Sequence, residues 1–81
     1  MISGVQIRAA RAALRLSLAE LSSRAAVGVQ TIDRFEAADG VPPSRSSKLS
    51  DVQRALETAG VEFIGTPDDG PGIRFRKRKV E

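Results

Sequence analysis

Ten arginines and three lysines face ten carboxylates in a chain of 81 residues that has no histidine and no cysteine. That inventory narrows the chemistry at once. The common general base near neutral pH and the thiolate nucleophile are both missing, and so are the usual zinc ligands. The carboxylates are scattered along the chain, and no glycine-rich phosphate loop precedes a helix. One segment, Gly65 to Gly72, is glycine-rich, but it holds Asp68 and Asp69, which would repel a phosphate. The expectation is therefore a protein without catalysis, metal or cofactor. What the chain does offer is guanidinium groups, planar forks that suit phosphates and guanine edges better than the point charge of lysine. A net charge of +3 and a pI near 10.2 permit nucleic-acid binding without establishing it.

The elements that must position these groups can be read from caps and periodicity. Ser3-Gly4-Val5-Gln6 reads as a capping box, with Ile2 and Ile7 as its hydrophobic staple. The helix it opens, over about residues 4–15, would bury Ile7, Ala10 and Leu14 and turn Arg8, Arg11 and Arg15 outward. Ser17-Leu18-Ala19-Glu20 repeats the device, stapled by Leu16 and Leu21, and opens a second helix over about 18–26. Val27-Gly28 interrupts it, and a third helix is predicted over about 29–37, ended by Asp39-Gly40 and Pro42-Pro43. Ser44 to Ser47 supply caps for a fourth, about 47–59, with Leu49, Val52, Leu56 and Ala59 as its buried stripe and Gly60 as its stop.

After Gly60 the period changes from helical to alternating. Val61-Glu62-Phe63 and Ile73-Arg74-Phe75-Arg76 read as half-buried strands. The turn-rich stretch between them looks too long for a two-residue connection, which implies a hairpin over about 61–76 with a mobile loop and then a basic tail, 77–81. The fold class expected is mainly α: one domain over residues 1–81, four helices and a C-terminal β-hairpin. A hydrophobic content of 41% supports a core of modest stability at this length, so a second copy would help. No apolar run is long enough for a membrane span and the N-terminus shows no signal-peptide pattern, so the cytoplasm is the expected location.

From Leu16 to Glu36 the chain resembles the helix-turn-helix of the Cro/repressor class of DNA-binding proteins, also called the xenobiotic-response-element family. The matching residues are Leu21, the small Ala25, Val27, Ile32, Phe35 and the closing Glu36. Pro43, the capped fourth helix and the Ala59-Gly60-Val61-Glu62-Phe63 ending extend the likeness over about residues 5–63. A small Ala25 suits two helices whose backbones nearly touch, and Leu21, Val27, Ile32 and Phe35 suit the wedge between them.

The resemblance places base reading on Val29, Gln30 and Arg34 of the third helix. Each side chain fits: Gln30 can bond adenine N6 and N7, Arg34 can fork onto guanine O6 and N7, and Val29 can touch a thymine methyl. Thr31, the helix-start amides at Gly28, Arg15 and Arg45 are the expected phosphate contacts. Two positions depart from the family pattern. Ala26 occupies a turn position usually held by glycine, so the turn is expected to differ somewhat. Leu18 replaces a phosphate-binding glutamine, and an exposed leucine there suits a protein contact.

The function implied is a sequence-specific double-stranded DNA-binding transcriptional regulator, a repressor, working as a homodimer on a palindromic operator. No small-molecule ligand is expected. The dimer surface would be the last strand, Ile73 to Arg76, paired across a two-fold axis, or else Leu18 and the fourth helix. Two other readings stay open: an antitoxin or anti-activator whose main partner is a protein, and a sequence-indifferent DNA coater driven by the Arg74 to Lys79 cluster.

Overall fold

Two serines start the first half of the molecule. In the structure, a computed structural model that describes residues 2–44, 47–66 and 68–75, Ser3 caps α1 (Gly4–Ala13) and Ser17 caps α2 (Leu18–Ala25). Both are complete capping boxes. The Ser3 hydroxyl oxygen accepts the Gln6 N–H at 3.2 Å, and Gln6 Oε1 accepts the Ser3 N–H at 2.9 Å. Ser17 and Glu20 repeat the exchange at 3.0 and 2.7 Å. Each box satisfies two amides that a helix start would otherwise leave without partners. Ile2, Ile7 and Leu21 lie buried in the core, with Leu16 packed at its margin.

Between them α1 ends in a left-handed residue that is not glycine. Arg15 has φ 59°, its N–H donates to the Ala12 carbonyl, and the Leu16 N–H reaches back to the Arg11 carbonyl, both at 3.0 Å. This pair of bonds is a Schellman ending. A left-handed side-chain-bearing residue costs about 1 kcal/mol or somewhat more, which the two bonds help to offset.

The later helices are α3 (Val29–Glu36) and α4 (Lys48–Thr58). Leu49, Val52 and Leu56 form the buried stripe of α4 as their spacing predicts, with Ala59 half-buried, and Gly60, at φ 116°, stops the helix. Serine capping of α4 does not occur at Ser47, whose side chain makes no cap bond and instead donates to Asp51 Oδ2 at 3.3 Å.

The hairpin corrects the sequence expectation most. β1 (Val61–Thr66) and β2 (Asp69–Phe75) run antiparallel, with Val61 opposite Phe75, Phe63 opposite Ile73 and Thr66 opposite Asp69. Only positions 67 and 68 separate the last pair, so most of the stretch expected to be a mobile loop is strand. An irregularity between Ile64 and Thr66 absorbs the glycines. Gly65 has φ 74°, and a Cβ there would collide with the Gly70 carbonyl oxygen.

The hairpin rests on the helices, β1 against α4 and β2 against α1. Buried Gln6 fastens it: Nε2 donates to the carbonyls of Ile64 at 3.0 Å and Gly72 at 2.9 Å, a pair of residues that face each other across the strands. At the other side of α1 the Gly4 N–H donates to the Gly40 carbonyl at 3.0 Å. A Cβ on Gly4 would collide with the carbonyl oxygens of Phe35 and Ala38, so glycine is what lets the chain after α3 approach α1. The fold is thus mainly α with a C-terminal β-hairpin. Among the described residues no helix is long and apolar enough to cross a membrane.

Candidate functional site

The α2–turn–α3 unit is built on five apolar side chains. Leu21, Ile32 and Phe35 are almost wholly buried, and Ala25 and Val27 close the wedge at the turn. Ala26 takes the left-handed conformation, φ 58° and ψ 40°, that the family pattern reserves for glycine there. The expectation that the turn departs from this geometry is not met. The Ala26 N–H donates to the Ser22 carbonyl, and the Val27 N–H reaches the same oxygen at 3.3 Å. These bonds hold the residue in a region alanine ordinarily avoids. Gly28, with φ −58° and open space where a Cβ would stand, is the N-cap of α3 rather than the strained residue of the turn.

What α3 turns outward follows from what it buries. Val29, Gln30, Asp33 and Arg34 are exposed, Val29 retaining 40% of its surface, and Thr31 is half-buried. Gln30 and Arg34, one turn apart, make no hydrogen bond or ion pair with another described residue. Their polar ends face solvent, free to meet a ligand.

The end of α3 is held by a pair that sequence spacing misassigned. Arg11 does not belong to an outward row. Its Nε and Nη2 donate to Glu36 Oε2 and Oε1 at 2.7 and 3.0 Å, while Nη1 donates to the Leu16 carbonyl at 3.0 Å. The side chains retain 21% and 7% of their surface. The Glu36 hydrogen bond raises the Arg11 pKa above the ordinary arginine value despite burial. One guanidinium therefore ties α1, the α1–α2 turn and the last turn of α3 together, with bidentate geometry that lysine could not supply.

The remaining site residues separate by location. Arg15 is exposed at the α1–α2 turn, and Gly28 is exposed at the start of α3. Arg45, and the basic run from Arg76 onward, lie outside the described residues. Arg74 is exposed but occupied: its guanidinium pairs with Glu62 across the strands at 3.1 and 3.2 Å. Leu18 is not the exposed leucine expected but half-buried, packed against the core. Among the described residues no cluster of carboxylates could hold a metal ion. No protein-family model matches this chain, and no curated protein matches it.

Sequence reading missed Gln6, Gly4 and the Arg11–Glu36 pair as tertiary fasteners. Each acts on a residue at least 25 positions away, beyond the reach of local spacing. It also missed Arg24, which α2 places across a groove from Arg54 of α4.

Proposed function

We propose that this chain is a sequence-specific double-stranded DNA-binding transcriptional regulator of the Cro/repressor helix-turn-helix kind. It acts as a repressor in the cytoplasm and binds a palindromic operator as a homodimer. The observation that carries the reading is the outer face of α3. Val29, Gln30 and Arg34 stand exposed, with no hydrogen bond or ion pair from their side chains to another described residue, on a helix whose other face is locked into the core. Glutamine and arginine one helical turn apart can read adenine and guanine edges in a major groove, and valine can meet a thymine methyl. Thr31, Arg15, Arg45 and the amides at Gly28 contact phosphates and set the register. A short α3 reaches few base pairs, so two copies with their third helices about 34 Å apart supply the specificity one copy lacks.

The test is a gel-shift titration with DNA from upstream of the chain's own coding sequence, at several salt concentrations. Arg34→Ala should abolish the preference for the specific site while leaving the salt slope nearly intact, because a base contact releases few counterions. Equal loss on every sequence would point instead to a sequence-indifferent DNA coater. No DNA affinity, with a stable complex to another protein, would favour an antitoxin or anti-activator.

A further inference from the structure

The groove between α2 and α4 is a second place where basic groups gather. It has a volume of about 340 Å³, a floor of Ala25 and Ala55, and walls that include Arg24 and Arg54, with Thr58 and Asp51 at its margin. Its two guanidiniums are poorly matched among the described residues. Arg54 meets Asp51 only at 4.0 Å, with 74% of its side chain exposed, and Asp51 also accepts from Ser47. Arg24 makes no hydrogen bond with a described residue and feels Glu20 only through charge, Glu20 being engaged by Ser17. Two cations against one lining carboxylate leave the groove positive, over a small apolar floor.

The chain also carries the complement. Asp68 and Asp69 are its only adjacent carboxylates, and they stand at the tip of the hairpin. Residues 65, 66 and 68–71 are all exposed, so the described part of the tip is open to solvent. We infer that the α2–α4 groove receives the Asp68–Asp69 hairpin tip of a second copy of this chain, its two carboxylates meeting Arg24 and Arg54. The exchange is reciprocal, since one-way insertion would build open chains rather than a closed dimer.

The position of the groove suits such a contact. α2 packs on both α3 and α4, whereas α3 and α4 share no substantial contact, so the groove lies where α2 meets α4. Val29, Gln30 and Arg34 are not among the residues that line the groove. The last strand is the weaker candidate for an interface, because Pro71 offers no N–H to a strand added to β2. The inference concerns self-association alone and stands apart from whether α3 reads DNA.

The test is sedimentation equilibrium of the full chain without DNA, at low and high salt. The wild type should dimerise, more weakly as salt rises. R24E/R54E and D68K/D69K, both on exposed residues and checked for fold by circular dichroism, should each weaken self-association about a hundredfold through like-charge opposition. Mixed together, the two variants should form a heterodimer, because each then presents the charge the other lacks. A wild type that stays monomeric would overturn the inference, as would a dimer untouched by both reversals or reversed partners that fail to associate. DNA binding by α3, read separately through R34A, can survive or fail independently of that outcome.

Discussion

The two faces of α3 differ in almost everything except backbone. Its inner face holds Ile32, Phe35 and Glu36, all buried, with the Glu36 carboxylate bonded twice by Arg11. Its outer face holds Val29, Gln30, Asp33 and Arg34, all exposed, with Gln30 and Arg34 bonded to nothing among the described residues. With Thr31 half-buried between them, the other seven residues divide into a set that fixes where the helix lies and a set that the helix presents. The division teaches that stability and recognition are separable here, so substitutions on the two faces should fail in different ways.

The largest separation should come from Phe35→Ala. Truncating a side chain that is 1% exposed should cost about 3–5 kcal/mol, enough to unfold much of a domain this small. Urea titration followed by circular dichroism measures it. Glu36→Ala should cost about 2–3 kcal/mol in the same assay, since it leaves the half-buried Arg11 guanidinium without its carboxylate. Arg34→Ala, two residues from Glu36, should change stability by less than about 0.5 kcal/mol. A large stability loss in that variant would break the comparison, because Arg34 would then be structural.

A smaller effect should sharpen the role of the turn. Ala26→Gly removes the penalty of a left-handed alanine, though glycine loses more entropy on folding. The net gain should be at most about 1 kcal/mol, seen as a higher urea midpoint, with the presentation of α3 unchanged. A loss of stability would mean that the alanine methyl makes a contact worth more than the strain.

The smallest effect concerns pH. Glu20 accepts the Ser17 N–H, which holds its carboxyl below the ordinary value of 4.5, the Ser17 hydroxyl and Arg24 acting in the same direction. A depressed folded-state pKa means that the cap contributes fully above the unfolded value and is lost as pH falls through the folded one. Glu20→Gln keeps the capping geometry without the titration. Compared with the wild type, it should lose less stability between about pH 5 and pH 3, as judged by thermal melts. An identical decline in both proteins would show that the Glu20 charge adds nothing to the cap.

Much of this architecture was legible from sequence because local rules agreed. Two capping boxes, two staples and the stripe of α4 each needed only neighbours within a turn or two, and α1, α2 and α4 are the helices that carry those signals. The hairpin was misjudged for a physical reason. Gly65, Gly70, Pro71 and Gly72 have loop composition, yet an irregularity in pairing and an edge position let a strand carry them. Arg11 was misjudged because its spacing from Arg8 and Arg15 suggests a row, while its partner lies 25 residues away. The residues proposed to read DNA were legible as an outer face, since a helix that buries Ile32 and Phe35 must expose Gln30 and Arg34. The Arg24–Arg54 groove was not, because only the packing of α2 on α4 brings those side chains together.

The central claim is that the outer face of α3 reads base sequence. Selection of bound sites from random double-stranded DNA tests it most directly, run in parallel for the wild type, Gln30→Ala and Arg34→Ala. The account predicts inverted half-sites about 10 base pairs apart centre to centre for the wild type. Each variant should lose preference at one defined position of each half-site, by roughly 1–3 kcal/mol of discrimination. Recovery of no preferred sequence by the wild type, or of one unchanged in both variants, would contradict it.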